Sequence, residues 1–399
     1  MKKHFWQAIL ITFFLGVILG GAGFAYYSYR MAQEGYPVSY FRSAKQESAH
    51  KSVTKTFIPR KVVVKQPRLN HRTKKLKQLL KPIVGEKRFV GTVLIIKNGH
   101  QIYNQGYGYA NISKKALNTA NSEYQILSMQ KSMTAMLIMQ QIQAGNLQFA
   151  DHLDKFYPEI PGASQITIRS MLDMQTGLRI HKLSKQVLSS QQVADYSAKH
   201  VQFVADENNK WSYQPVNYTL LAGILQQVTR QPYYQLFRRH IIAPLKLQHT
   251  GFVMQANQAN QLSTPYHNVP FSDNSINYQK VDHESVASQH NELGTGNVYM
   301  STGNFYKVLR AILRARFLTA ESTAILHEGV GARNYGGGLY TKNLTSYWSH
   351  GVGYGEESGV MISRDGKNAV VMLSNYHVKK TALPRQCAQI YQNLMQGAY

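Results

Sequence analysis

The chain has 399 residues and is 43% hydrophobic, ordinary for a globular protein with room for one or two domains. Its charge is not ordinary: 45 Lys+Arg stand against 20 Asp+Glu, for a net +25. A single cysteine, Cys387, excludes an internal disulfide framework and a cysteine-rich metal site.

In chain order, Lys2 and Lys3 precede an uncharged run over residues 5–27. At ~1.5 Å rise per residue such a run is long enough to cross a bilayer. The lysines favour a short cytoplasmic N-terminus over residues 1–4, with everything after the run outside the cell. Gly23 and Ala25 also suit a cleaved signal peptide, but the run is long for a signal core, so a retained anchor is the favoured reading. Residues 28–81 carry fourteen Lys or Arg against two acids, Glu34 and Glu47, with prolines at 37, 59 and 67. That composition reads as a flexible or semi-extended spacer. Its charge fits either a solvated linker or attraction to a polyanion at the cell surface. Nucleic acid is not an expected partner for an outward-facing chain.

The remaining stretch, 82–399, reads as one folded domain, with a helical lead-in over 74–83. Residues 91–96 are apolar and β-branched, Asn98-Gly99 is a two-residue turn signal, and 101–109 form the returning strand. A helix follows with Met129, Met133, Met136, Leu137 and Met139 on its apolar face, read as core, and a stop at Gly145. Further helices are expected over 166–174, 217–229 and 233–242. Strand patterns return over 335–341, 359–363 and 369–373, and a last helix spans about 382–396. Cys387 falls in that helix with no histidine beside it, which suits a buried structural thiol. Strands at both ends with helices between predict an α+β fold: one antiparallel sheet built from both ends of the domain, plus a helical insert.

The chemistry concentrates at Ser128-Met129-Gln130-Lys131. A serine and a lysine three apart on a helix share one face. A lysine amine there can take the hydroxyl proton only if burial keeps it neutral, because an unperturbed lysine titrates near ~10.4. The same spacing occurs at Ser48-Lys51 and Ser52-Lys55, in a polar basic stretch where nothing would desolvate a lysine, so context selects Ser128. The pair points to acyl transfer through a serine nucleophile. Histidines lack metal-ligand spacing, since His283-Glu284 and His327-Glu328 are isolated, so neither metal nor cofactor is expected. No Gly-x-Ser-x-Gly or Gly-x-x-x-x-Gly-Lys motif appears.

The order of motifs resembles the serine penicillin-recognising enzymes, in their class-C β-lactamase and D-alanyl carboxypeptidase branch. After Ser128-Met129-Gln130-Lys131 come Gly145-Asn146-Leu147, Asp151, Tyr157-Pro158 and Thr176-Gly177-Leu178 at the family's spacing, and the resemblance extends over roughly 82–395. It implies the class-C fold and further site residues. Tyr213, in Trp211-Ser212-Tyr213-Gln214-Pro215-Val216-Asn217-Tyr218, matches the catalytic tyrosine of the family's Tyr-x-Asn motif. The motif's asparagine is replaced by Pro215. Trp348-Ser349-His350-Gly351-Val352-Gly353 matches the third motif, Lys-Thr-Gly or His-x-Gly. Its register is open: either His350 stands for the family's His or Lys, or Ser349-His350-Gly351 replaces the triplet. This makes His350, Gly351, Val352 and Gly353 substrate-binding or oxyanion-hole candidates, and His350 is equally open to a structural role. Gly296, in Gly294-Thr295-Gly296-Asn297-Val298-Tyr299-Met300-Ser301, resembles the family's glycine-rich loop, and Leu245 to Thr250 its Pro-Leu-Gly-Met segment; both are open to a structural or a site-lining role.

Loss of the motif-two asparagine and motif-three lysine removes the groups that hold a peptide amide and a terminal carboxylate. The chain is similar to membrane-anchored D-alanyl esterases of Gram-positive teichoic acids, which resemblance implies hydrolysis of D-alanyl esters on lipoteichoic or another teichoic acid through a D-alanyl-serine intermediate. A D-alanyl-D-alanine carboxypeptidase or β-lactamase on the same fold, and an inactive polymer-binding tether, are the alternatives. Glu356 and Glu357, just past the third motif, are candidate partners for the substrate ammonium on position alone.

Overall fold

The computed structural model describes residues 71–85, 89–259, 261–267, 276–329, 334–377 and 383–399. The span expected over 5–27 and the spacer up to residue 70 lie outside them. Among the described residues no helix is long and apolar enough to cross a membrane.

The first described element, α1 (His71–Val84), takes in residues assigned above to the basic spacer. Its Leu76, Leu80, Ile83 and Val84 are buried, so the folded unit begins upstream of residue 82. The apolar spacing of these four residues outweighs the lysines between them: Lys81 faces solvent and Lys77 is half-buried over the Tyr107 ring. Strands β1 (Gly91–Lys97) and β2 (His100–Tyr107) form the expected hairpin. Asn98 (φ 52°) and Gly99 (φ 82°) both take the left-handed backbone that a tight primed turn requires.

Helix α2 (Lys131–Gln143), α3 (Val216–Thr229), α4 (Val286–Asn291) and α5 (Thr302–Leu313) belong to the middle of the chain. The final third supplies β3 (Tyr335–Gly336), β4 (Leu339–Asn343), β5 (Ser346–Gly353), β6 (Glu356–Ser363) and β7 (Ala369–Ser374), then α6 (Leu383–Met395). The strands join in the order β3-β4-β5-β6-β7-β1-β2, every pairing antiparallel. Both ends of the domain thus meet at β1 against β7, where Thr92 faces Leu373 and Ile96 faces Ala369.

Helices cover both faces of this sheet, which is why its central strands are apolar throughout rather than alternating. Val93 and Ile95 point to the side where α1 and α6 pack, with Cys387 buried among them. Leu94 and Ile96 point to the other side, into the larger core that holds the methionines of the Ser128 helix, Met129, Met133, Met136 and Met139. The methionine stripe is core, as its spacing suggests, and burial raises the pKa of the Cys387 thiol, so it is inert.

Candidate active site

Ser128 does not sit inside the α-helix but in the 3-10 turn Leu127–Gln130 that leads into it. Leu127 takes φ 52°, a backbone that a branched side chain avoids and that surrounding structure must hold. The turn aims the serine away from the core while Met129 stays fully buried beneath it. Lys131 opens α2, and its Nζ lies 3.0 Å from Ser128 Oγ and 3.4 Å from the Thr295 carbonyl oxygen.

Lys131 is only 1% exposed. Desolvation pulls its pKa from 10.5 down to about 7, against the opposing field of Glu292. The amine is therefore substantially neutral near pH 7 and able to accept a proton. Tyr213 approaches from the segment just before α3. Its hydroxyl shares a hydrogen bond with Ser128, and its ring lies 5.1 Å from Lys131 Nζ. Burial raises the phenol's pKa well above its ordinary value. Of the two, Lys131 is the one able to accept a proton near pH 7, while Tyr213 stays protonated there.

The three side chains line one cavity of about 100 Å³ together with Pro215, Glu292, Thr295 and Val352. Pro215 directly precedes α3 with φ −53°, the ring angle suited to entering a helix. The following Asn217 is fully buried and turned away from the cavity, accepting from Thr176 Oγ1 at 2.7 Å and donating to the Gln214 carbonyl at 3.0 Å.

Strand β5 runs beside the serine turn. Its first half is paired to β4 through Ser346, Tyr347 and Trp348. Among the described residues, nothing pairs with Ser349 to Gly353 on that side, so this stretch presents an open backbone edge beside Ser128. A Cβ on Gly351 would fall 2.8 Å from the Ile126 carbonyl oxygen and 2.8 Å from Leu127 Cβ. Gly351 thus packs so close to the serine turn that no side chain would fit there. Val352 reaches the cavity wall, and Gly353 closes the strand. Gly296 lies against Leu127 and the Glu292 carboxylate.

Three sequence expectations need correction. His350 does not line the Ser128 cavity; its Nε2 lies 2.9 Å from Glu357 Oε1. The imidazole is held instead at Glu357, on the paired strand two residues from its own partner Gly359. Glu357 is no ammonium site at the serine either. His350, His377 and the Leu383 backbone N–H surround it, and those partners outweigh burial to lower its pKa. Glu356 is sealed under Gln125 and Ser263, with its pKa raised to about 8 by burial. The acid that does line the cavity is Glu292, which the sequence reading passed over. Its local sequence carries no clear signal, since Leu293 separates it from the glycine-rich loop at 294–296.

A family model described as Beta-lactamase matches residues 76–386. A Bacillus subtilis (strain 168) chain named as a candidate penicillin-binding protein, PbpX, is 26% identical over 329 residues, covering 82% of this chain and 79% of that one. A teichoic acid D-alanine hydrolase of Staphylococcus aureus is 27% identical over 251 residues, covering 62% of this chain and 60% of that protein. The crystal structure of FmtA from Staphylococcus aureus superposes with a TM-score of 0.69 at 25% identity, covering 81% of this chain and 88% of that one. D-amino acid amidase from Ochrobactrum anthropi shares the fold, with a TM-score of 0.67 at 17% identity over 82% of this chain and 99% of that one. By its motifs, its sheet and the extent of the family match, the chain belongs to the β-lactamase and penicillin-binding-protein-like family of serine hydrolases.

Proposed function

We propose that the protein is a serine esterase that removes D-alanyl esters from teichoic acid, lipid-linked or wall-linked. What carries the reading is one juxtaposition: Ser128 and Lys131 are 3.0 Å apart in a crevice whose wall at the altered second motif is Pro215. A proline side chain offers no hydrogen bond to a peptide amide. A D-alanyl ester asks for none there, and an alkoxide leaves more readily than an amine anion. Similarity to the teichoic acid D-alanine hydrolase points the same way.

Ser128 Oγ attacks the ester carbonyl as its proton passes to Lys131 Nζ. The resulting oxyanion is offered backbone N–H groups of the serine turn and of the open edge of β5. Collapse breaks the ester C–O bond. The departing polyol oxygen takes the phenolic proton of Tyr213, which is replaced from the Lys131 ammonium. Water then attacks the D-alanyl-Ser128 ester, giving a proton to Lys131, and D-alanine leaves as Ser128 regains its hydrogen. Further parts of the proposal are that residues 5–27 anchor the chain in the cell membrane with the catalytic domain outside, and that the basic segment after them meets the polyanion.

The test is incubation of D-alanylated lipoteichoic acid with wild type and Ser128→Ala. Release of D-alanine should fall more than about 10³-fold in the variant, as loss of a nucleophile requires. Equal release would overturn the proposal. Trimming of a D-alanyl-D-alanine peptide, or stable acylation of Ser128 by penicillin, without release from the polymer would favour the carboxypeptidase or β-lactamase reading.

A further inference from the structure

Among the described residues lining the Ser128 cavity, Glu292 is the acidic one. It follows α4 directly and is held at both ends. Its backbone carbonyl accepts from the Thr295 and Gly296 N–H groups, each at 3.1 Å. Its carboxylate accepts from Thr295 Oγ1 at 2.7 Å on one oxygen and from the Tyr354 hydroxyl at 3.1 Å on the other. A Cβ on residue 296 would lie 2.7 Å from Glu292 Oε2, so glycine there keeps room for the carboxylate in this position.

A carboxylate has about four lone-pair positions, and these two neutral donors leave capacity for a third. The groups facing it are Lys131, Tyr213, Tyr354 and Thr295, with Glu284 near by. Glu284 has its pKa raised to about 9, chiefly by burial and next by Glu292, so it is neutral near pH 7. The field of Glu292 favours the charged form of Lys131, which opposes the lysine's service as a base. A carboxylate whose field works against the base, in the wall of the same crevice, has a reason to be there if the substrate brings a cation.

We infer that Glu292 binds the free α-ammonium of the acyl group, so that the site selects esters of unblocked amino acids over otherwise similar acyl esters. This rests on the esterase reading and deepens it. The α-ammonium sits one carbon from the carbonyl that Ser128 attacks, so a partner for it must lie in this crevice. A charge-assisted hydrogen bond in a crevice sheltered from water is stronger than the neutral bonds it adds to.

The experiment compares kcat/KM for the glycerol ester of D-alanine with that for the glycerol ester of propionic acid, which lacks only the amine, in wild type and Glu292→Gln at pH 7. The inductive effect of the ammonium is the same in both proteins and cancels in the ratio. The wild-type preference for the D-alanyl ester should fall at least about tenfold in Glu292→Gln, chiefly through KM, with Glu292→Asp recovering part of it. If Glu292→Gln fails to fold by its unfolding curve, Glu292→Asp and Tyr354→Phe carry the comparison, each with a smaller loss. An unchanged ratio in folded variants overturns the inference. The two failures are separable: a wild type that frees no D-alanine from the polymer sinks the esterase reading, whereas an active wild type with an unaltered Glu292 ratio sinks only this one.

Discussion

Lys131 is the residue on which the chemistry turns, and burial is what makes it useful. Depression of its pKa to about 7 sets the acid limb of activity. Below that value the amine is protonated and cannot take the serine proton, so kcat/KM should fall about tenfold per pH unit. A pH–rate profile flat down to pH 5 would exclude Lys131 as the base. The same shift carries a stability cost of predictable sign. Between about 7 and 10.5 the unfolded chain holds a proton on this lysine that the folded protein does not, so stability rises with pH across that window. Below about 7 both states are protonated and the burial penalty is fully present. Lys131→Met should therefore abolish activity yet stabilise the fold by a few kcal/mol at pH 6, the gain shrinking toward pH 10. Denaturant unfolding at the two pH values checks this. At this scale the serine and lysine were legible because their relation is local, one helical turn. Glu292 was not, since only the path of the chain after α4 brings it beside Lys131. Glu356 and Glu357 looked eligible by sequence distance alone, until strand geometry enclosed one and paired the other with histidines.

Elements place these groups through a few tight approaches. The serine turn is strained at Leu127 and pressed by Gly351 of β5. Gly338 presses the start of α2 from another side, where a Cβ would fall 2.3 Å from the Ser132 nitrogen. Gly351→Ala should push strand and turn apart. We expect a cost of about 1–3 kcal/mol in stability and a loss on the order of 10²-fold in kcat, because small displacements of reacting groups are expensive. Steady-state kinetics on a small ester with a parallel unfolding curve would separate the two effects. A folded variant with unchanged kcat would show that this approach does not position Ser128. The hairpin of β1 and β2, the α3 helix and the C-terminal helix were readable from periodicity and turn residues. The 3-10 turn at Ser128 was not, because its positive φ depends on packing rather than on any turn-forming residue.

On the whole-molecule scale, the sheet that supports the site is closed by strands nearly 300 residues apart in sequence, β1 on β7. The net charge of +25 is spread over a protein proposed to act on a polyanion. Association with D-alanylated teichoic acid should then weaken with salt. Raising ionic strength from 50 to 500 mM should lower kcat/KM on the polymer about tenfold and leave an uncharged glycerol ester nearly unaffected. Equal salt dependence on both substrates would argue against electrostatic capture.

By itself the sequence pointed to most of the elements and, through a one-turn Ser-x-x-Lys spacing, to Ser128 and Lys131, because propensity, periodicity and short motifs are properties of neighbours along the chain; Tyr213 came from the family resemblance. Only the tertiary structure decided that α1 belongs to the folded domain, that His350 turns to Glu357, and that Glu292 stands beside the serine. Those outcomes depend on which faces meet across the sheet and on how far burial moves a charge, and neither quantity is local in sequence.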